Sequence, residues 1–172
     1  PRDLVGLDEE MWLEEGLEIA TGLEDDELIK RYDAQLTALF PISERLRENR
    51  DRRLLLNCRE VSVHRGHAFT TAGFSAQHLE ILDAVTMPTP HYDELIEKAT
   101  KWGNEWLELA VICCAMHART VNKNLDAIEA GSLITSSPLY GRQATQIVLS
   151  ATRALMLEGG VPPEERQYYR ST

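Results

Sequence analysis

Between Leu7 and Ala20 the chain alternates Leu, Met, Trp and Ile with acids at helical spacing, which predicts a short amphipathic helix that Thr21-Gly22 can end. Thr21 and Glu24 have the form of a capping box, so Thr21 is read as the N-cap of a second helix running to about Phe40. Pro41 stops that helix, because proline disfavours helical geometry at the residue before it. Ser43 is a natural N-cap for a third helix through about Cys58. From Val61 to Phe74 the period of 3.6 is lost among β-branched residues and two glycines, and the stretch reads as an extended loop, with or without a short strand.

Ser75 reopens a helix through about Thr86, and Pro88-Thr-Pro90 breaks it, with Thr89 as a cap and Pro90 in the first-turn position. A long helix is predicted next, in which Leu95, Ala99, Trp102, Trp106, Leu109, Cys113 and Met116 step by three or four along one stripe. Val111, Ile112, Cys114 and Ala115 make its centre apolar nearly all round, which places it in the middle of a bundle. Val121 to Ala130 predicts a shorter helix ended by Gly131, and Ser132 to Ser137 a linker of small residues. Ser137-Pro138 starts a last helix whose face is Ala144, Ile147, Val148, Ala151, Ala154 and Leu155, and Gly159-Gly160 stops it. The fold class is therefore all-α: a helical N-terminal domain over residues 1–131, built as two small bundles around the loop 61–74, then a linker at 132–137 and a C-terminal helical domain over 138–172. That last domain carries no stop signal at its end, so it is read as open to truncation.

Charge changes this picture more than composition does. The net charge of −10 is concentrated: residues 1–27 hold eleven acids against Arg2 alone, and the remainder is balanced. Residues 43–65 carry Arg45, Arg47, Arg50, Arg52, Arg53, Arg59 and Arg65 against four acids. The chain reads as a dipole, with an acidic N-terminal face that includes Glu9, Glu10, Glu14, Asp25 and Asp26. In a helix Arg45, Arg52 and Arg59 recur every seven residues on one face, while Arg47, Arg50 and Arg53 occupy another. Arginine suits phosphate because its planar fork donates paired hydrogen bonds and keeps its charge. The plainer alternative is a solvated face with Glu48 and Asp51 in local ion pairs.

Candidate chemistry is sparse. No uncharged apolar run approaches the roughly 18–20 residues of a membrane span, and no basic start followed by an apolar stretch marks a signal peptide. Three cysteines, two of them adjacent, make a poor disulfide framework and favour a reducing compartment. No phosphate-cradling glycine loop, nucleophile elbow or His-Glu-x-x-His helix is present, so the expected role is not enzymatic and no small-molecule substrate is expected. Cys113, Cys114 and His117 lie close together on one helix, but a structural zinc generally takes four ligands, and His64, His67 and His91 have no diagnostic spacing to complete the set. They read as core residues, with no metal or cofactor.

Three stretches resemble the matrix proteins of influenza-type viruses, the orthomyxoviruses. Leu39-Phe-Pro-Ile-Ser-Glu-Arg-Leu-Arg-Glu-Asn-Arg-Asp-Arg-Arg-Leu-Leu-Leu-Asn57 is similar to that family's Pro-Ser-Glu-Arg segment and the arginine-rich helix after it. Val111-Ile-Cys-Cys-Ala-Met-His117 is similar to its buried helix with two cysteines, and Ser137-Pro-Leu with Ile147-Val-Leu-Ser-Ala-Thr-Arg-Ala154 to the opening of its C-terminal domain. The order and approximate separations agree. Where the family has a second basic run, near Ser75–Asp83, this chain has His78 and two acids, and the second histidine of the family's proposed Cys-Cys-His-His pattern is absent.

The resemblance implies a viral matrix protein of the virion that lines the inner face of the envelope, visits host cytoplasm and nucleus, polymerises, and contacts anionic lipid and the viral ribonucleoprotein. It makes Arg50, Arg52 and Arg53 charged surface residues, with Arg45, Arg47 and Arg59 beside them as lipid or ribonucleoprotein contacts. Together with the charge split, it predicts self-association in which the acidic face of one copy meets the arginine face of the next. The alternative is a helical adaptor or regulatory domain whose acidic N-terminal face binds a basic partner.

Overall fold

The computed structural model describes residues 2–60 and 69–158. Among them are eight α-helices and no strand: α1 (Arg2–Gly22), α2 (Asp26–Leu39), α3 (Glu44–Glu60), α4 (Ala76–Val85), α5 (Tyr92–Trp102), α6 (Asn104–Thr120), α7 (Asn124–Ser132) and α8 (Gly141–Leu157). The all-helical class is as the periodicity predicts.

The helix starts show which local signals the chain uses. Ser43 does cap α3, its Oγ accepting from the Leu46 N–H at 3.2 Å. Ser75 caps α4 in a capping box whose reciprocal partner is His78 in place of the usual Glu or Gln. Thr21 does not cap α2. It lies inside α1 with its hydroxyl donating to the Leu17 carbonyl at 2.8 Å, and Asp25 caps α2 by accepting from the Leu28 N–H at 3.1 Å. The reason is that α1 turns off at Glu24, a left-handed residue with φ 56°, and Asp25 is the first residue free to accept. Thr89 and Pro90 likewise precede the helix they were expected to open; α5 begins at Tyr92.

The long helix predicted after Pro90 is two helices. Gly103 has φ 120° and ψ 163°, a conformation open to glycine alone, and it separates α5 from α6. The apolar stripe survives the break, because Trp102 and Trp106 meet edge to face across it with ring centroids 6.3 Å apart. Helix α6 sits where its all-round hydrophobicity predicts. Leu109 to Ala115 are each at most 2% exposed, and each large aliphatic among them contributes roughly 1.5–3 kcal/mol by leaving water. Around α6 pack α3, α4, α5, α7 and α8. Helix α7 extends past Gly131, a Cβ at which would meet Val148 Cγ2 at 2.8 Å, so glycine there permits the close approach of α8.

The buried side chains form two clusters. One joins Leu13, Leu17 and Ala20 of α1 to Ile29, Leu36, Leu46 and Phe69. The other runs from Leu54, Leu55 and Cys58 through α6 to Ala144, Ile147 and Ala151 of α8, drawing on residues before and after the segment 132–137. Helix α3 contributes to both and ties them together.

Of the loop expected at 61–74, residues 61–68 lie outside the described residues, and 69–74 contain no strand. This segment is held against α2 and α3 by bonds to its own backbone. Asn57 donates to the Phe69 carbonyl at 3.0 Å, and Asp26 accepts from the Thr70 N–H at 3.2 Å. Gly73 has φ 78° and lies against the Asp33 carboxylate and Arg50, where a Cβ would sit 2.4 Å from Asp33 Oδ1.

Candidate functional site

Helix α3 carries its arginines on several sides because six of them are spread over its four turns, and α1 covers one of those sides. Arg45 donates through both terminal nitrogens to Glu15 Oε1 at 3.1 Å, with Glu14 Oε2 at 3.5 Å. Arg52 pairs with Glu18, and Arg47 with Glu105 of α6 at 3.2 Å. The acidic face of α1 thus meets the arginine face of α3 within one molecule. Arg45, Arg47 and Arg52 nevertheless keep 40%, 56% and 48% of their side-chain surface in water. Arg59 is exposed near the end of α3.

Two arginines expected at the surface with these are structural. Arg50 grips Asp33 in a fork, Nε to Oδ2 at 3.0 Å and Nη2 to Oδ1 at 2.8 Å, and also reaches the Thr37 hydroxyl at 2.7 Å. Arg53 is wholly buried: it donates to Asp33 Oδ2 at 2.8 Å, Asn49 Oδ1 at 2.8 Å and the carbonyls of Thr70 and Ala72 at 2.9 and 3.1 Å, and lies 5.3 Å from the centroid of the Phe74 ring. Burial lowers its basicity, and the carboxylate of Asp33 opposes that shift. A charge is tolerated here because nearly every donor has an acceptor. Arg53 is therefore not a surface contact, contrary to what the resemblance implies.

The acids named for self-association are divided in the same way. Glu9 is exposed. Glu14 is buried, accepting from the Ser43 hydroxyl at 3.0 Å, Asp25 caps α2 and Asp26 holds the Thr70 amide. Glu10 sits beside Glu14, and its carboxyl is raised by loss of solvent and by sharing a hydrogen bond and a like charge with Glu14.

The thiols lie in the core. Cys58, Cys113 and Cys114 are free and fully buried, and burial pushes the thiols of Cys113 and Cys114 well up, away from the thiolate that a metal binds. His117 Nδ1 meets the Tyr92 hydroxyl at 2.7 Å, and burial followed by the charge of Lys123 lowers its basicity. Among the described residues no three His, Cys, Asp or Glu side chains are grouped to hold a metal ion. His91 is exposed at the start of α5, and His64 and His67 lie outside the described residues.

One arrangement was missed in the sequence. His78 joins Ser75 Oγ to its Nδ1 at 2.9 Å and Asp51 Oδ1 to its Nε2 at 2.8 Å, beside a cavity of about 340 Å³ also lined by Trp106, Glu108 and Tyr140. The order Ser-His-Asp has the look of a nucleophile and its base. Its bonds describe a cap instead: Ser75 Oγ accepts from the His78 N–H at 3.4 Å, and the Ser75 N–H donates to His78 Nδ1 at 3.1 Å. The residue pattern Ser75-x-x-His78 was the available signal, a capping box with imidazole in the acid's place. Asp51, read as a local partner for arginine, serves this histidine.

No protein-family model, no curated protein and no solved structure matches this chain.

Proposed function

We propose that this chain is a structural protein of the viral matrix kind, which assembles with its own copies beneath an envelope and contacts anionic lipid and ribonucleoprotein. The observation that carries the reading is the state of Arg45, Arg47 and Arg52. Each is about half exposed: Arg47 is held by the exposed Glu105, Arg52 by the part-buried Glu18, and Arg45 by the exposed Glu15 with the buried Glu14 behind it. Exposed pairs of this kind contribute roughly 0–1 kcal/mol, so a surface that presents many phosphates can displace them at small cost. The three stretches that resemble the matrix family also meet in one buried cluster, through Leu54 and Leu55, Val111 to Ala115, and Ile147 and Ala151.

The test is flotation with phosphatidylserine vesicles. A basic side chain at an anionic surface contributes about 1 kcal/mol, so changing Arg45, Arg47 and Arg52 together to Ser is expected to weaken binding by about a hundredfold. Arg50 and Arg53 are left intact because they hold the fold. Undiminished flotation of the triple variant would remove α3 from the lipid contact. The adaptor reading has its own support in Asp8, Glu9 and Glu24, which stay exposed; it requires that the wild-type protein not float at all.

A further inference from the structure

Two exposed helix faces, at opposite ends of the sequence, have complementary character. On α1, Trp12 and Ile19 lie along one side at helical spacing, 72% and 61% exposed, and Leu23, 68% exposed, continues that side just past the helix end, its N–H donating to the Ile19 carbonyl at 2.9 Å. Asp8 and Glu9, both exposed, stand at the N-terminal end of that strip. On α8, Arg142, Gln146, Leu149, Arg153 and Leu157 recur by four, three, four and four, and all are exposed. The C-terminal half of this second strip borders a groove of about 390 Å³ lined by Leu149, Ala154 and Leu157 with Arg119 and Arg153 at its edges. Large apolar side chains in a row on both faces mark contact surfaces more than isolated exposed residues would.

We infer that the α1 strip of one copy docks on the α8 strip of the next. Charge chooses the occupant. An anionic membrane would be repelled by Asp8 and Glu9; parallel pairing of α1 with α1 or α8 with α8 brings like charges together, and antiparallel pairing sets the acids of α1 and Arg142 of α8 against apolar residues. Each face finds its complement on a second copy of the same chain. From Asp8 to Leu23 and from Arg142 to Leu157 are equal spans, about 22 Å along a helix. Laid parallel, they put Asp8 and Glu9 beside Arg142, and Ile19 and Leu23 in the groove between Leu149 and Leu157. Trp12 then faces Gln146 near the acidic end, and tryptophan is among the residue types that most often dominate an interface. The contact is head to tail, so every added copy leaves one α1 and one α8 open and growth continues. It takes self-assembly from the reading above and relocates it: the acids act through α8, since the α3 arginines already have partners within the chain.

Charge reversal tests this in solution without lipid. One variant carries Asp8→Lys and Glu9→Lys, the other Arg142→Glu and Arg153→Glu; all four side chains are exposed, and circular dichroism checks that each variant folds. By analytical ultracentrifugation the wild-type mass should rise with concentration, each variant alone should stay monomeric, and an equimolar mixture should regain association, because the reversed α1 then meets a reversed α8 and the native pair remains. Trp12→Ala should weaken association at least tenfold. A monomeric wild type, variants that associate as the wild type does, or a folded mixture that stays monomeric would each overturn the contact. Vesicle flotation by wild type alongside any of these leaves the matrix reading standing without this interface; restored association in the mixture with no flotation leaves the interface without that reading.

Discussion

Arg53 shows how much one side chain can organise. Its guanidinium joins α2, α3 and the segment 70–72 through Asp33, Asn49 and two backbone carbonyls, with no surface left in water. Arg53→Met keeps most of the volume but strips those acceptors of their donor and leaves Asp33 with Arg50 as its one cationic partner, beside the Thr37 hydroxyl. A broken buried pair typically costs about 3–5 kcal/mol, and that loss should appear as a lower urea midpoint. The sequence could not separate Arg53 from Arg52. Both follow from an arginine-rich helix, and the difference is one step of helical rotation, which faces one to Asp33 and the other to Glu18. Periodicity put Arg45 and Arg52 on one face, and both do meet α1, but it grouped Arg47 with Arg50 and Arg53, which turn to Asp33 while Arg47 turns to Glu105; it had no information on which face another element covers. The same blindness hid His78, whose partner Asp51 is far away in sequence.

At the level of elements, strong local chemistry was legible and weak or competing chemistry was not. Ser43 and Ser75 stand at the helix starts the sequence assigned to them, and both cap. Thr21 competed with Asp25, and the length of α1 decided it. The stripe from Leu95 to Met116 concealed a break because an apolar repeat is indifferent to one glycine. Gly103 makes a clear contrast with Gly22. Neither has an atom within 4 Å of the place a Cβ would take, so only backbone conformation separates them. Gly103→Ala forces alanine to φ 120° and should destabilise by about 1–3 kcal/mol. Gly22→Ala, within α1, should stabilise by about 0.5–1 kcal/mol. Paired urea titrations of the two variants give the signs directly, and equal signs would mean that the break between α5 and α6 is not held by Gly103.

For the whole molecule, the uneven charge along the chain was plain in the sequence, but its destination was not. Eleven acids followed by an arginine helix suit attraction between copies and attraction within one equally well. The choice depends on whether α1 can fold back on α3, which rests on Leu13, Leu17 and Ala20 meeting Leu46 and α2 in a shared cluster. Hydrophobic burial places α1, and its carboxylates arrive with it. As a result, Glu15 and Glu18 act as a tethered competitor for Arg45 and Arg52. A short tether holds such a ligand at millimolar effective concentration, so a free anion must outcompete it while a dense array of phosphates does so readily. The Glu15→Gln, Glu18→Gln variant should accordingly leave a heparin column at higher salt than wild type. If α3 is the lipid contact proposed above, this built-in competitor would screen out isolated phosphates and leave the arginines open to a polyanionic surface.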